Sequence, residues 1–488
     1  MIQRDDLLIG GAWTAPRGDD TSDALATPRT LDVVDPDTGQ VAGRVPIASA
    51  EDVDAAVRAA AAAFASWSQV PMAERAALVE RIRAGVEERR EELAGLLTLQ
   101  MGTPITFARQ AQLGVALADL DEIVKAGRDH AAEESVGGAL VLREPAGVVA
   151  AITPWNFPLH QIALKVGAAL VAGCTVVLKP SELTPLDAYV FAEIVQAAGA
   201  PPGVFNLVPG DGPVTGEALV AHPLVDVVTL TGSVRAGARV AELAARTIKK
   251  VTLELGGKSA GVVLDDADLA SVVPQAVGGC FANAGQICAA LTRLLVPEHL
   301  LEEVERLAVS AASGWVPGPP SDPATRLGPQ ASRRQQRIVQ DYISAGIAEG
   351  ARLLVGGTPI EGPGAYVTPT IFSGVRPEMT IAREEIFGPV LSIMSYATED
   401  EAVAIANDSE YGLSGGVWSA DPARALAVAR RLRTGMVSVN GAGLNVAAPF
   451  GGYKRSGVGR ECGRYGIEEF LEVKSVVGLP EGMARGVA

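Results

Sequence analysis

The hydrophobic positions between about residue 145 and residue 230 predict a repeated strand–helix–strand pattern. Short, mostly apolar runs occupy residues 148–152, 175–178, 204–208 and 225–230, and longer helical stretches separate them. Nearly continuous apolar runs are typical of strands buried on both faces of a parallel sheet. The pattern therefore predicts an α/β fold with a doubly wound parallel sheet. Such sheets bind ligands at the carboxyl ends of their strands.

The N-terminal part of the chain is expected to be scaffold. Residues 1–48 hold short β-like runs separated by turn signals. Residues 49–52 have the spacing of a helix N-cap and open an alanine-rich helix through about Ala65. A second helical pattern runs over residues 72–99 and stops at Gly102.

Two later regions complete the expected architecture. Residues 123–143 end in an alternation split by a glycine pair, which predicts a hairpin. Such a hairpin is either a local sheet edge or an arm that needs a partner. From residue 260 to residue 440 strands and helices alternate again, with a helix over 332–350, and this predicts a second α/β unit.

Size and charge exclude several classes of protein. A chain of 488 residues is too long for one core and should form two or three domains. The formal net charge of −16 argues against nucleic acid and anionic membranes as partners. The longest apolar tract, residues 162–178, is interrupted by Lys165 and Gly173, so we expect no membrane-spanning helix. The acidic start of the chain is unlike a signal peptide.

The four cysteines are too sparse for a disulfide scaffold and lack the spacing of metal ligands. We therefore expect free thiols, no metal site and a cytoplasmic location. Cys288 differs from the other three because it follows a small, polar, glycine-containing turn, Phe-Ala-Asn-Ala-Gly-Gln-Ile-Cys. A free cysteine is more often an inert core residue than a nucleophile, so its neighbours decide the interpretation.

Glu254 provides the second candidate for chemistry. It lies in Leu-Glu-Leu-Gly-Gly-Lys, a carboxylate on an apolar strand that ends at a glycine pair. Burial in an apolar setting raises the pKa of a glutamate toward the range of a useful base. The alternative is that Glu254 caps a turn or pairs with Lys258.

Together the FxNxGQxC and LELGGK segments resemble the signature pair of the aldehyde dehydrogenase superfamily, whose members are NAD(P)-dependent and hydrolytic. The resemblance implies that Cys288 is the nucleophile and Glu254 the general base. A thiolate would add to the aldehyde, hydride would leave to the cofactor, and water would cleave the resulting thioester. Asn156, in a Pro-Trp-Asn-Phe-Pro turn, would stabilise the oxyanion together with the backbone N–H of Cys288. Otherwise Asn156 is a turn residue that satisfies its own backbone.

The same resemblance implies a dinucleotide site. Lys179 and Glu182 would bind the adenosine ribose, and the carboxylate would repel a 2′-phosphate, so we expect NAD rather than NADP. Without the resemblance, Lys179 and Glu182 could form a simple solvated ion pair. The turn after the strand at 225–230 would place backbone N–H groups against the pyrophosphate. The remaining cofactor residues implied are Thr231, Gly232, Ser233, Gly237, Trp155, Leu255, Glu385 and Phe387.

Specificity should depend on the wall of the substrate tunnel. The expected wall is mostly apolar and lacks an arginine that could bind a distal carboxylate, which predicts a medium-sized apolar aldehyde. Each wall position could equally be core. By offset from the motifs, the wall comprises Phe157, Gln161, Leu164, Ile287, Ala289, Leu444 and Phe450.

We expect an NAD-binding domain from residues 1–122 and 144–253, and a catalytic domain from residues 254–455. Residues 123–143 and 456–488 would form an oligomerisation arm and C-terminal tail, in a homodimer or homotetramer. The resemblance implies that the β-like run at 470–477 of another subunit completes the arm.

Two other functions remain open from the sequence. A cysteine acyltransferase or hydrolase, including CoA-acylating relatives, would not need Glu254 placed to activate water. A catalytically inactive, cofactor-binding homologue would have no reason to retain Cys288, Glu254 and Asn156 together.

Overall fold

The computed structural model of the chain describes residues 1–17 and 30–480. The strands are β1 (Ile2–Gln3), β2 (Leu7–Ile9), β3 (Ala12–Thr14), β4 (Thr30–Val34), β5 (Val41–Pro46), β6 (Glu133–Val136), β7 (Ala139–Pro145), β8 (Val148–Ile152), β9 (Thr175–Lys179), β10 (Phe205–Leu207), β11 (Val227–Thr231), β12 (Lys250–Glu254), β13 (Ser259–Val263), β14 (Leu291–Pro297), β15 (Arg352–Val355), β16 (Thr370–Ser373), β17 (Val390–Tyr396), β18 (Ser414–Trp418), β19 (Met436–Val439), β20 (Gly457–Val458) and β21 (Leu471–Val476).

The helices connect these strands, and several of them are short. They are α1 (Ala50–Trp67), α2 (Met72–Glu88), α3 (Arg90–Met101), α4 (Ile105–Phe107), α5 (Leu113–Asp129), α6 (Pro158–Ala172), α7 (Leu186–Ala197), α8 (Glu217–Ala221), α9 (Val234–Ala245), α10 (Leu269–Phe281), α11 (Leu301–Ala312), α12 (Arg333–Ala348), α13 (Thr380–Arg383), α14 (Glu399–Asn407), α15 (Pro422–Ala429) and α16 (Gly463–Glu468).

The first large sheet has eight strands in the order β20-β12-β11-β8-β9-β10-β2-β3. The five strands from β12 to β10 run parallel, and antiparallel strands close both ends. Alternate residues of β8 enter different cores. Val149 belongs to the core that also contains residues of α2, α5 and α6, and Ala150 belongs to the core that contains residues of α1 and α9. The predicted doubly wound sheet is confirmed.

The second large sheet has seven strands in the order β15-β16-β17-β14-β13-β18-β19, all parallel except β15. Its two faces are also both covered. Val262 belongs to the core beneath α12, α14 and α15, whereas Val263 belongs to the core beneath α10 and α11. The predicted second α/β unit is therefore present.

The helical scaffold differs from the sequence expectation at one point. Ser49 and Asp52 form the predicted capping box at the start of α1. The helical pattern at 72–99, however, is two helices, because the backbone leaves the helical region at Arg89 (φ −98°, ψ 21°). Arg89 there bonds to Glu92 and Glu193, over 2.7 and 2.6 Å. The second helix ends at Gly102, whose φ of 78° favours glycine.

The expected hairpin at 123–143 is formed by β6 and β7, which meet at the Gly137-Gly138 turn. The partner of β7 differs from the expectation. Its free edge pairs antiparallel with β21 of the same chain, from Leu471 opposite Pro145 to Val476 opposite Leu140. The prediction that residues 470–477 of another subunit pair with this hairpin is therefore wrong, because the run at 471–476 of the same chain occupies that position.

Within residues 1–17 and 30–480, none of the helices has the length and apolar character needed to cross a bilayer. The apolar tract at 162–178 is divided between α6 and β9, because Gly173 ends the helix with a φ of 97°.

Candidate active site

A cavity of about 530 Å³ lies where strand ends of the first sheet face loops of the second unit. The first sheet contributes the segments that follow β8, β11 and β12, and the second unit contributes the loops before β14 and β17. Most residues singled out from the sequence meet here. They are Trp155, Asn156, Phe157, Gln161, Thr231, Gly232, Ser233, Glu254, Leu255, Ile287, Cys288, Ala289, Glu385, Phe387, Leu444 and Phe450.

Four predicted site residues do not line this cavity. Leu164 is buried behind the wall, in a small cluster with Phe450 and Cys462. Gly237 lies one turn into α9, where a Cβ would come within 2.6 Å of Leu255. Its role in the structure is therefore to let α9 approach the end of β12. Lys179 and Glu182 lie at the end of β9, at the same edge of the sheet.

The turn before Cys288 is a strained backbone segment held by buried polar side chains. Asn283 and Gly285 both have positive φ, 52° and 74°. The hydroxyl of Thr103 donates to the Asn283 side chain over 2.9 Å, and Gln286 accepts from the backbone N–H of Ala331 over 2.8 Å. These hydrogen bonds hold the backbone of the turn and so position Cys288 at the cavity.

Cys288 is half-buried and unpaired. Burial, together with the nearby carboxylates of Glu385 and Glu254, raises the pKa of this thiol to about 12. The thiol is therefore protonated at neutral pH and must lose a proton before or during attack on a carbonyl. Cys174 and Cys280 are fully buried in the apolar cores, as the sequence indicated.

Glu254 is 4% exposed, and neither of its carboxylate oxygens has a hydrogen-bond partner among the described residues. Burial and the nearby carboxylate of Glu461 raise its pKa well above the usual range. Lys258, the alternative partner, is itself buried without a hydrogen bond in the described part of the chain, and burial lowers its pKa to about 7. The interpretation of Glu254 as one half of a Glu254–Lys258 pair is therefore wrong.

The loop after β8 brings Asn156 to the cysteine segment. Its side-chain N–H donates to the backbone carbonyl of Gln286 over 3.0 Å. Its own backbone carbonyl accepts from the Asn283 side chain over 3.1 Å. The side chain therefore bonds to a distant segment, and the alternative of a turn asparagine that satisfies its own backbone is wrong.

The turn after β11 has the geometry expected of a phosphate-binding loop. Ser233 caps α9 by accepting from the N–H of Ala236 over 3.2 Å. A Cβ at Gly232 would meet nothing nearer than 3.9 Å, so space for a ligand lies beside this backbone. The residues therefore fit the diphosphate of a dinucleotide, which prefers helix N-termini with an open approach.

Lys179 and Glu182 are brought together less closely than the motif implied. The Lys179 ammonium is buried and donates to the carbonyls of Pro180 and Gly210, over 3.0 and 2.7 Å. It lies 3.9 Å from the carboxylate of Glu182, whose side chain is 49% exposed. Glu182 is thus free to accept hydrogen bonds from a ribose.

Glu385 and Phe387 lie on the opposite side of the same opening. The Glu385 carboxylate accepts from the backbone N–H of Gly257 over 2.9 Å, and burial raises its pKa to about 7. A Cβ at Gly256 would lie 2.0 Å from this carboxylate, so a side chain at position 256 would displace the Glu385 carboxylate. The Phe387 ring meets Trp155 edge to face at 5.3 Å.

Several cavity residues were not predicted from the sequence. Phe107 and Val115 come from α4 and α5, whose sequence carries no motif. Cys462, expected to be a tail residue, has an unusual φ of 72° and lines the cavity. His160 also lines the cavity. It was not predicted, even though the wall residues Phe157 and Gln161 on either side of it in the sequence were.

Comparison with known proteins places this geometry in context. The sequence profile described as the Aldehyde dehydrogenase family matches residues 24–476. A relative from a Pseudomonas species, named 3-succinoylsemialdehyde-pyridine dehydrogenase, is 49% identical over 97% of this chain and 98% of its own length.

Two solved structures are similar over nearly the whole chain. A mutant of aldehyde dehydrogenase C from Pseudomonas syringae, in complex with NAD+ and octanal, has a TM-score of 0.94 at 49% identity and covers 98% of this chain and 97% of its own. An aldehyde dehydrogenase from Mycobacterium tuberculosis, in complex with NAD+, has a TM-score of 0.94 at 43% identity and covers 99% of both chains.

Proposed function

This chain belongs to the aldehyde dehydrogenase family, and from that premise we propose that it oxidises a medium-sized, largely apolar aldehyde to the carboxylic acid. The reaction passes through a thiohemiacetal and a thioester on Cys288, with water activated by Glu254. One observation carries the proposal: the Cys288 thiol and the unpartnered Glu254 carboxylate line the same cavity.

The first step forms a bond between the sulfur of Cys288 and the aldehyde carbon, and the thiol proton must leave. This proton passes to solvent, since the Cys288 side chain is only half-buried. The carbonyl oxygen becomes an oxyanion. The Asn156 amide carries two N–H groups, and since one donates to Gln286, the other remains for this oxygen together with the N–H of Cys288.

Bound NAD supplies the hydride acceptor. Glu385, Trp155 and Phe387 surround the opening on the cavity side, and Glu182 offers a carboxylate at the end of β9. Loss of hydride leaves a thioester on Cys288. Glu254 then removes a proton from water, whose oxygen attacks the thioester carbon, and the acid and the free thiol are released. A CoA-acylating enzyme would have no use for this carboxylate.

The cavity wall supports the apolar substrate class. No arginine or lysine is among the residues that line it in the described chain. Burying a substrate carboxylate there without a cationic partner costs several kcal/mol. The related Pseudomonas syringae structure contains octanal, an aldehyde of the proposed class.

We also propose that the chain self-associates, as a homodimer or homotetramer, through the sheet of β6, β7 and β21. Its outer edges carry exposed apolar side chains, Val136 at 52% and Val473 at 69%.

The proposed domains follow the same division. Residues 123–143 and 456–488 form the arm and tail, residues 1–122 and 144–253 form the cofactor domain, and residues 254–455 form the catalytic domain. Four unpaired cysteines fit a cytoplasmic location.

The test is the appearance of NADH when the purified protein is mixed with NAD and each of hexanal, octanal, benzaldehyde and succinic semialdehyde. We expect kcat/KM to be higher for the three apolar aldehydes than for the semialdehyde. Cys288→Ala is the control for a contaminating activity. A better kcat/KM for the semialdehyde would contradict the proposed wall, and no NADH with any aldehyde would contradict the function.

A further inference from the structure

A buried histidine–aspartate pair forms part of the cavity wall. His160 lies in the first turn of α6, and its side chain is 11% exposed. Its Nδ1 contacts the carboxylate of Asp119, on α5, over 2.5 Å, and the Asp119 side chain is fully buried. The ring also meets Phe157 edge to face at 6.0 Å. Two neighbours therefore fix its orientation.

The other ring nitrogen is available to a molecule in the cavity. Because Nδ1 is bonded to Asp119, Nε2 is the ring nitrogen that remains for a hydrogen bond to a molecule in the cavity. The charged groups behind the pair are Lys165 and Glu461, which bond to each other. Neither of them is among the cavity-lining residues.

The pairing decides whether Nε2 donates or accepts. When the His160–Asp119 pair holds two protons, one lies between Nδ1 and the carboxylate and the other lies on Nε2. Nε2 then carries a hydrogen whether the shared proton is on Nδ1 or on the carboxylate. Burial alone would lower the pKa of His160, but the charge and hydrogen bond of Asp119, and the charge of Glu461, raise it. The pairing with Asp119 therefore favours the form of His160 in which Nε2 carries a hydrogen and can donate it.

We propose that His160, held by Asp119, determines specificity by donating a hydrogen bond from Nε2 to a neutral acceptor atom that the aldehyde carries away from its reacting carbonyl. A keto oxygen or a ring nitrogen is such an acceptor. The inference deepens the proposed function and rests on it: the substrate is largely apolar but carries one acceptor.

A carboxylate is a poorer match than a neutral acceptor. The positive charge of a protonated His160 is already balanced by Asp119, and no arginine or lysine lines the cavity in the described chain. A substrate carboxylate would therefore find no uncompensated cation there. This distinguishes the site from an arginine clamp, in which an uncompensated cation binds an anion.

The experiment compares substrates of nearly equal shape that differ by one acceptor: 4-oxo-4-phenylbutanal against 4-phenylbutanal, and 5-oxooctanal against octanal. The measured quantity is the ratio of kcat/KM within each pair. We expect at least one pair to favour the oxo aldehyde. His160→Leu should lower that ratio roughly tenfold, the loss expected for one hydrogen bond to a donor of this kind. The change should lie mainly in KM.

Three further variants separate a specific role from a structural one. His160→Gln keeps an N–H donor and should recover part of the ratio. Asp119→Asn removes the charge that keeps Nε2 a donor and should lower the ratio through KM, since Asp119 is a positioning residue. His222→Leu is the matched control, because His222 also pairs with an aspartate, Asp54 at 3.1 Å, but lies outside the cavity lining. It should leave the ratio unchanged.

NMR of labelled histidine tests the same contact without turnover. The chain has four histidines, so the His160 resonance can be assigned by substitution. In Cys288→Ala with 13C-labelled histidine, the resonance absent from the His160→Leu or His160→Gln variant should shift when 4-oxo-4-phenylbutanal is added. It should shift much less with 4-phenylbutanal. Failure to oxidise any of these aldehydes would contradict the proposed function. If the aldehydes are oxidised, an unchanged ratio in the His160 variants, or an unmoved His160 resonance, would overturn this inference alone.

Discussion

The side-chain amide of Asn156 donates a hydrogen bond to the backbone carbonyl of Gln286, two residues before Cys288, over 3.0 Å. This bond links the loop after β8 to the cysteine turn and leaves the second N–H of Asn156 for the substrate oxygen. Asn156→Ala removes both. We expect kcat/KM to fall roughly 100-fold or more, as when a single oxyanion donor is lost elsewhere. NAD affinity, measured by calorimetry, should change little, and near-normal turnover would exclude Asn156 from oxyanion binding.

Cys288 and Glu254 should divide the reaction between them. Cys288→Ala should abolish aldehyde oxidation, because it removes the nucleophile that would carry the acyl group. Glu254→Gln should chiefly slow hydrolysis of the thioester, so a first turnover of NADH survives. Stopped-flow absorbance would record this burst. Steady turnover in Cys288→Ala would contradict the assignment.

Glu182 should set the preference for NAD. Its half-exposed carboxylate would repel a 2′-phosphate, so Glu182→Gln should raise the NADP to NAD ratio of kcat/KM, by roughly tenfold. Glu303→Gln, an exposed glutamate on α11, is the control and should not move the ratio. A wild-type enzyme that prefers NADP would contradict this prediction.

The reactivity of the Cys288 thiol should depend steeply on pH. Its pKa is about 12 because of burial and two nearby carboxylates, so the thiolate fraction is small near neutrality and grows as the pH rises toward that value. Replacing Glu254 by Gln removes one negative charge, lowers the thiol pKa, and should speed alkylation at a fixed pH. Peptide mass spectrometry after iodoacetamide treatment would separate Cys288 from Cys462. Slower alkylation in Glu254→Gln would contradict the electrostatic argument.

Gly256 should not tolerate a side chain. A Cβ there would lie 2.0 Å from the Glu385 carboxylate, so Gly256→Ala must displace that group and should cost about 1–3 kcal/mol of unfolding free energy. Gly279→Ala is the matched control, because a Cβ at this exposed position of α10 would meet nothing within 4 Å. Alanine at this helical position should stabilise the protein slightly. Thermal unfolding measures both. Equal melting temperatures for the two variants would contradict the predicted clash.

The sequence predicts the sheets and the catalytic group well because both depend on local signals. Mostly apolar runs identify buried parallel strands, and motifs at strand ends meet because those ends share one edge of the sheet. Glu254 and Cys288 were therefore assigned to one site although 34 positions separate them in the sequence.

The parts that the sequence did not reveal depend on packing between distant elements. His160 meets Asp119 only because α5 packs against α6, and neither residue lies in a recognisable motif. The edge of β7 could have been filled by any strand of suitable pattern, and only the fold selects β21 of the same chain. Cys462 lines the cavity with a positive backbone φ, which is unusual for a residue other than glycine and which the sequence did not predict.

Strand β12, which ends in Glu254, is fixed on its outer side by the very late strand β20, through the Leu253–Val458 and Glu254–Gly457 pairs. The Ser456 hydroxyl adds a bond to the carbonyl of Gly256, 200 positions earlier in the chain. During synthesis the ribosome therefore makes the catalytic base long before it makes the strand that holds it. A nascent or prematurely terminated chain would carry both Cys288 and Glu254 and still be inactive, so the appearance of activity would report that translation has been completed.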